Sequence, residues 1–513
     1  MLYNDKQRQA TDEYKRAKGS TMNYHDLLTD EDIIEIKNGE LTADISDVVY
    51  DSRQVRKNAL FVAIFGFAAD GHQYIESAIE KGAAVIVHQA DLAQYHDDVT
   101  YIKVTDTRKM LGIIASRFFD HPSSKLTISA ITGTNGKTSS TYFLTRILTE
   151  AGKTCARMGT INDEIDGEIF DNKGRTTSES RDTQAFIAKA VDYGCTDLVM
   201  EASSQALDLD RLVNVDFDYA LFTNLTQDHL DYHKTFENYF LAKAKLFDQT
   251  SQAAIINTDD EWGVKLVDRI HHRHPDLKVI TYGTSDDADY KIESIDCTTK
   301  GSQFTLRHGD EEEGVFLDVL GRFMVFNAVG TIIAAREQGV GWEIIKKALA
   351  DAPVVDGRMD RVPLDLDFDV IVDYAHTPDA LDNILSTVRE LTDGKIIAVF
   401  GCGGDRDHGK RPKMGKISAE KADFTVLTSD NSRTEDPDKI IDDIEAAVKP
   451  ITDQYIRVTD RREATAAALK MAKKGDVVIF AGKGHEKTET SRNGVRPYYE
   501  KEVIQEVAKE LGL

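Results

Sequence analysis

The chain has 513 residues, too many for one hydrophobic core when domains cluster at about 100–200 residues, so roughly two to four domains are expected. Hydrophobic residues make up 41% and charged residues 29% of the chain, the balance of a soluble globular protein. A formal net charge of −25 argues against a chain that lives on nucleic acid, although a local ring of cations and backbone amides can still bind an anion.

Four cysteines (Cys155, Cys195, Cys297, Cys402) lie far apart with no CxxC pair, which disfavours a disulfide scaffold or a zinc site and fits a reducing cytosol. The first residues, MLYNDKQRQATDEYKRAKGSTMNYHDLL, lack the apolar core of a secretory signal, and no stretch approaches the about 20 apolar residues of a spanning helix. The expectation is a cytoplasmic protein, monomeric, with no membrane or nucleic-acid partner. Residues 1–21 read as a polar N-terminal extension, with Met22 as an alternative start.

Three domains follow along the chain. Residues 22–125 carry short β-type runs, DVVYDS (47–52), ALFVAIFG (59–66), AAVIVH (83–88) and YIKV (101–104), separated by helix-like stretches. Residues 126–351 begin with LTISAITGTNGKT and repeat a strand–helix rhythm through DLVMEA (197–202), YALFTN (219–224) and AAIIN (253–257). That rhythm predicts a parallel sheet with covered faces, and the alternating stretch at 289–320 adds antiparallel strands to it. Residues 352–513 place DVIVDYA (369–375), KIIAVFG (395–401), FTVLTS (424–429) and DVVIFAG (476–482) between helical patterns, the spacing of a Rossmann-like domain. The fold class is therefore α/β: three domains, the central one with a parallel or mixed sheet of the P-loop ATPase type.

In ITGTNGKTSS, an apolar strand runs into a glycine-rich turn and then a helical run, the context a phosphate loop requires. Gly133, Thr134, Asn135, Gly136, Lys137, Thr138 and Ser139 are the candidate ATP-binding residues. Lys137 would reach the terminal phosphates and Thr138 would offer its hydroxyl to Mg²⁺. The loop departs from the general G-x-x-x-x-G-K-[ST] pattern because Ile131 stands at the first position.

The compact TGTNGKT resembles the Mur ligase family, which also includes folylpolyglutamate synthetases, and the resemblance holds over most of the chain. MEASSQALDLDR (200–211) is similar to the family's E-x-S-S-H-x-L stretch. It implies Glu201 as a Mg²⁺ ligand and Ser203 and Arg211 beside a sugar-nucleotide substrate; Gln205 stands where His is common. In TNLTQDHLDYH (223–233), His229 matches a second Mg²⁺ ligand. Lys243, in YFLAKAKLF (239–247), matches a lysine that takes up CO₂ as a carbamate. An ammonium beside Mg²⁺ would repel it, and a carbamate reverses the sign. Taken alone, Lys243 reads as a surface helix lysine, as its neighbour Lys245 does.

The resemblance also implies nucleotide contacts from Asn257 in NTDDEWG, Asn327 in LGRFMVFNAVG, Arg358 in VDGRMDRV, and Asp373 and His376 in VDYAHTPDAL. Met324 replaces an Asn of the family pattern and reads as core. Lys137, Lys243 and His229 are the implied catalytic residues. ATP would phosphorylate a substrate carboxylate, and an amine would attack the acyl phosphate, with Mg²⁺ and Lys137 stabilising the transferred charge.

DSRQV (51–55), DGHQYI (70–75) and TTSES (176–180) resemble the segments with which family members hold a uridine diphosphate sugar, implying Ser52, Thr176, Thr177, Ser203 and Arg211 as its contacts. GCGGDRDHGKRPKMG (401–415), SDNSRTEDP (429–437) and AGKGHEKTE (481–489) resemble an amino-acid pocket, implying Arg406, Asp430, Asn431, Ser432, Arg433, Gly482 and Glu486. The implied reaction, in a bacterial cytoplasm, adds a diamino acid to UDP-N-acetylmuramoyl-L-alanyl-D-glutamate, a peptidoglycan precursor. Arg433 with Arg406 could clamp a distal carboxylate, which puts meso-diaminopimelate ahead of L-lysine. The motif here is D-N-S-R rather than the family's D-N-P-R, and Arg433 could instead pair with Glu435 or Asp436. A sibling ligase, a folylpolyglutamate-type ligase and a phosphate-loop ATPase switch are the alternatives.

Overall fold

The computed structural model describes residues 22–28, 33–41, 44–66, 70–298 and 301–513. The extension expected at 1–21 lies outside the described residues. Two compact units emerge: one from the described residues up to Ala130 with Lys153–Tyr219 and Lys245–Gln252, the other from Ile131–Gly152, Ala220–Ala244 and Ala253–Leu513.

In the first unit, strands β1 (Ile33–Lys37), β2 (Asp47–Val49), β3 (Ala59–Val62), β4 (Ala83–His88) and β5 (Thr100–Val104) form a sheet in the order β1-β5-β4-β3-β2. β2 to β5 pair in parallel and β1 closes the edge antiparallel to β5. The inner strands β3 and β4 are covered on both faces and are apolar almost throughout, whereas the edge strand β1 is largely exposed. Alternation divides them: Leu60, Val62, Val85 and Val87 join one core with Met110, Leu111 and Ile114 of the helix Thr107–Phe118. Phe61, Ala63 and Ile86 point into the opposite core with Ile75 and Ala78. Asp106 caps the helix Thr107–Phe118, accepting from the amides of Arg108 (2.8 Å) and Lys109 (3.2 Å). The same unit holds the start of β6 (Thr127–Thr132), β7 (Cys155–Met158), β8 (Asp163–Ile165), β9 (Glu168–Phe170), β10 (Asp197–Glu201) and the start of β11 (Phe217–Phe222), ordered β11-β6-β10-β7-β8-β9.

In the second unit, β6 ends in the phosphate loop and the helix Lys137–Glu150. β12 (Thr250–Asn257), β13 (Lys278–Gly283), β14 (Tyr290–Thr298), β15 (Gly301–His308) and β16 (Glu311–Leu317) follow one another beyond β11. β12, β13 and β14 pair in parallel, and β15 and β16 continue antiparallel, as the alternation at 289–320 predicts.

The C-terminal part of this unit contains β17 (Asp360–Arg361), β18 (Asp369–Asp373), β19 (Ile396–Phe400), β20 (Phe424–Leu427), β21 (Tyr455–Arg457) and β22 (Val477–Ala481), in the order β17-β18-β22-β19-β20-β21. β18, β22, β19, β20 and β21 are mutually parallel, with β17 antiparallel at the edge. A hairpin of β23 (Thr488–Ser491) and β24 (Gly494–Pro497) follows. β22 lies between β18 and β19, so the chain order reverses there, and the segments after β18, β19, β20 and β22 leave at the carboxyl ends where open α/β sheets bind ligands. A fully buried pair underpins them: Arg461 grips Glu500 (Nε to Oε2 2.8 Å) and donates to the carbonyls of Ser429 (3.1 Å) and Ala481 (3.0 Å).

Candidate active site

The departure at position 131 has a structural cause. Ile131 is a buried residue of β6, so the strand runs to Thr132 and the turn is confined to Gly133–Gly136. Two glycines are obligatory in it. A Cβ on Gly133 (φ 152°) would sit 1.9 Å from Thr223 Oγ1, and one on Gly136 (φ 89°) 2.1 Å from Asn327 Oδ1. The turn is clamped from β11, whose following residues engage it. Thr134 N–H donates to Asn224 O (2.9 Å), Asn135 N–H to Asn224 Oδ1 (2.9 Å), and Thr223 Oγ1 to Asn135 O (2.6 Å). Lys137 opens the helix, and its Nζ lies on the carbonyls of Gly133 and Thr134, both at 2.9 Å. The first-turn amides of that helix have no acceptor within it, which is the anion-binding feature of the loop.

Lys243 is a correction to the residue-level reading. It is 1% exposed, and its Nζ donates to Gly133 O at 2.7 Å while lying 4.5 Å from the Tyr239 ring centroid. Burial, and then the nearby Lys137, hold its amine far below the ordinary lysine range. Lys245 is the exposed lysine, paired with Asp208 at 3.5 Å. Asp228 sits between His229 (Nε2 to Oδ2 3.3 Å) and His376 (3.6 Å). Burial alone would raise its carboxyl, but His229, His376 and Lys410 hold it ionised, well below the usual range. Burial lowers His229 in turn, so the imidazole favours its neutral, metal-ligating form. His229 adopts a left-handed backbone (φ 53°), which sets its ring apart from the short helix Leu230–His233 that follows.

The implied nucleotide contacts divide. Arg358 reaches Thr138 Oγ1 (3.4 Å) and packs over Tyr374 (4.5 Å), joining the loop directly. Asn327 stands against Gly136, and Met324, buried as expected, places its sulfur 3.8 Å from Asn327 Nδ2. Asp373 is spent on structure: its oxygens accept from Met359 N–H and Ala375 N–H, both at 2.7 Å. Asn257 likewise donates to Thr223 O (2.8 Å) and accepts from Asp259 N–H (3.1 Å), holding the end of β11.

At the C-terminal sheet, Asn431 Nδ2 donates to Glu486 Oε2 (2.7 Å), and a Cβ on Gly482 would meet Asp430 Oδ2 at 2.7 Å. Arg433 does not pair with Glu435 or Asp436. Its Nη1 donates to Gly404 O (2.8 Å) and Asn431 O (3.3 Å), Glu435 pairs with Arg411 (2.8 Å), and Asp436 caps the helix Pro437–Val448. Burial and the neighbouring Arg406 depress the Arg433 guanidinium, and the more distant Asp430 and Glu486 only partly offset them. Ser432 is buried beneath Gly404, and Arg406 is exposed.

In the first unit, Thr177 Oγ1 donates to Glu201 O (2.8 Å) and Arg211 Nη1 to Thr177 O (3.2 Å). Thr176 meets Thr160 at 3.0 Å, and Thr160 supplies both its amide (2.8 Å) and hydroxyl (2.9 Å) to the buried Glu201 carboxylate. Ser203 caps the helix Ser204–Asp208, and Ser52 is buried, its carbonyl held by Lys81 (2.9 Å). Sequence reasoning missed Asp228, Tyr239 and Lys483. All three lie inside motifs already singled out, but none is told apart from its neighbours by type alone.

Family profiles match three stretches: the Mur ligase catalytic domain at residues 44–119, the Mur ligase middle domain at 131–335, and the Mur ligase glutamate ligase domain at 357–484. With a relative 45% identical over 97% of its length, these show that the chain belongs to the Mur ligase family, the ATP-dependent ligases that join an acid to an amino acid. That relative, from Clostridium tetani, is called UDP-N-acetylmuramoyl-L-alanyl-D-glutamate--2,6-diaminopimelate ligase and matches 93% of this chain. A protein of the same name from Alkaliphilus metalliredigens is 43% identical over 96% of this chain and 99% of its own. A solved structure bearing that name superposes with a TM-score of 0.69 at 30% identity, covering 96% of this chain and all (100%) of its own. The MurF ligase of Thermotoga maritima, solved with ADP, shares the fold (TM-score 0.62, 19% identity, 90% of this chain and 97% of that one). Three α/β domains, N-terminal, ATP-binding and Rossmann-like, are the shared architecture.

Proposed function

We propose that this chain adds meso-diaminopimelate to UDP-N-acetylmuramoyl-L-alanyl-D-glutamate, with ATP activating the glutamate carboxylate as an acyl phosphate. The observation that carries the choice of amine is Arg433, whose guanidinium rests on two carbonyls with no carboxylate partner among the described residues. Its left-handed backbone (φ 51°) is a strain kept at functional positions. An incoming distal carboxylate would give the guanidinium a direct ion-pair partner in the bidentate geometry it favours. L-lysine has no distal carboxylate.

Mg²⁺ fits the residues present. Among the described residues no three acidic, histidine or cysteine side chains form a metal cage. Within the second unit, Thr138, His229 and a carbamate on Lys243 would hold such a cation together with nucleotide phosphates, the sharing of ligands between protein and phosphate that Mg²⁺ takes. Bound, it would neutralise charge on the transferred phosphoryl group. Lys243 is suited to carbamylation because burial, and then Lys137, favour its neutral amine, the form that attacks CO₂. Lys137 would move from the Gly133 and Thr134 carbonyls to phosphate oxygens, and Asp228 keeps His229 and His376 oriented.

The test is Arg433→Ala with both amines in an ADP-release assay. Loss of about 100-fold in kcat/KM for meso-diaminopimelate, with little change for L-lysine, is expected. Equal losses for both would remove Arg433 from amine selection.

A further inference from the structure

We infer that Lys483, a residue that does not itself meet the substrate, sets the preference for an amine at the far end of the diamino acid. It does so by fixing Glu486. The inference rests on the reading of the C-terminal pocket given above.

The Lys483 side chain is 0% exposed, and an ammonium in that position is tolerated only with its donors filled. Its Nζ donates to Thr488 O (2.9 Å) and Glu486 Oε2 (3.0 Å) and lies 3.5 Å from Asn431 Oδ1. The Tyr498 ring covers it at 5.5 Å. Asn431 is locked in turn: Oδ1 accepts from Thr490 N–H (2.8 Å) and Nδ2 donates to Glu486 Oε2 (2.7 Å). The amide orientation therefore follows from its partners, and no flip satisfies them.

Both donors converge on one oxygen. Glu486 Oε2 receives Lys483 and Asn431, while no contact of Oε1 occurs among the described residues. Glu486 is half-buried, 27% exposed, and its backbone is held by Glu486 N–H to Lys483 O (2.9 Å). A carboxylate fixed through one oxygen offers the other as a pre-oriented acceptor with its rotamer entropy spent. A terminal ammonium is the ligand group that such an acceptor takes. Lys483 thereby acts as a positioning residue, and the amine end and the carboxylate end of the ligand are recognised separately, by Glu486 and by Arg433.

The experiment compares wild type with Lys483→Met, Glu486→Gln and the double variant. Each is offered meso-diaminopimelate, the analogue lacking the distal amine (2-aminopimelate) and the analogue lacking the distal carboxylate (L-lysine). Lys483→Met is expected to raise KM for meso-diaminopimelate about 10- to 100-fold with little change in kcat. Its preference over 2-aminopimelate should collapse while its preference over L-lysine stays. The double variant should be no worse than Glu486→Gln alone. If Lys483→Met cannot be purified, Asn431→Ser removes the other donor on Oε2 and should erode the same preference. A preference for the distal amine that survives in these variants, or losses that add fully in the double variant, overturns the role of Lys483 and leaves the pocket reading intact. Wild type indifferent to the distal amine overturns both.

Discussion

Lys243 Nζ donates to the carbonyl oxygen of Gly133 at 2.7 Å, which puts a fully buried amine under the first residue of the phosphate loop. The contact joins the helix Phe236–Ala244 to the turn that would hold the nucleotide, and no other cation except Lys137 shares that carbonyl among the hydrogen bonds described. Lys243→Ala should lower ATP-dependent amide formation by more than about 100-fold, the scale of removing an electrostatic stabiliser at a reacting phosphoryl group. Added acetate or formate should restore part of the activity by standing in for the carbamate. Full activity in the variant without additive would remove the role assigned to Lys243.

Gly136→Ala places a methyl group 2.1 Å from Asn327 Oδ1 at a φ of 89°. Asn327 is 5% exposed, so its side chain has little room to swing aside. ATP affinity, read by calorimetry, should fall about 100-fold or more, since the loop amides must shift to admit the side chain. Unchanged affinity would show that the turn is not held against Asn327 when nucleotide binds.

Arg461 and Glu500 form a buried ion pair with both side chains at 0% exposure. Glu500→Gln leaves the guanidinium only the more distant Asp430 at 4.0 Å and should cost about 3–5 kcal/mol in urea unfolding, because a broken buried pair keeps the desolvation penalty of the surviving charge. Replacing both residues by apolar ones should cost less than either single change.

How far these features could be read before the fold was known differs from one to the next. The run AAVIVH coincides with β4, since a doubly covered parallel strand is apolar throughout. ALFVAIFG, FTVLTS and DVIVDYA overrun their strands, which stop at Val62, Leu427 and Asp373. The overrunning residues are apolar or β-branched but belong to the segments that carry the site, where burial comes from tertiary contacts and not from pairing. The short strands β8, β9 and β17 are held by neighbours and have no periodicity of their own. Lys243 shows the same limit: its burial depends on Gly133, 110 residues away in the chain, and helix position alone gives a surface lysine. Lys483 lies in a motif that was recognised, yet its partner Asn431, 52 residues away in the chain, meets it only through the fold.

His485 gives a pH signature. Burial, followed by Arg358 and His376, pushes its imidazole down to about 3, below the ordinary value of 6.5. Between those values the unfolded chain binds a proton that the folded chain refuses, so stability falls as pH drops through the window. From pH 8 to pH 5 this group should remove about 2 kcal/mol of stability, and a His485→Asn variant should lack that part of the slope. Parallel pH profiles of the urea midpoint for the two proteins would contradict the burial of this ring.

The most direct test of the central claim is an ADP-release assay on the wild-type protein with UDP-N-acetylmuramoyl-L-alanyl-D-glutamate, ATP and Mg²⁺, offering meso-diaminopimelate and L-lysine separately. The Arg433 carbonyl cradle predicts release with meso-diaminopimelate at a kcat/KM at least about 100-fold above that with L-lysine. A preference for L-lysine would contradict the account.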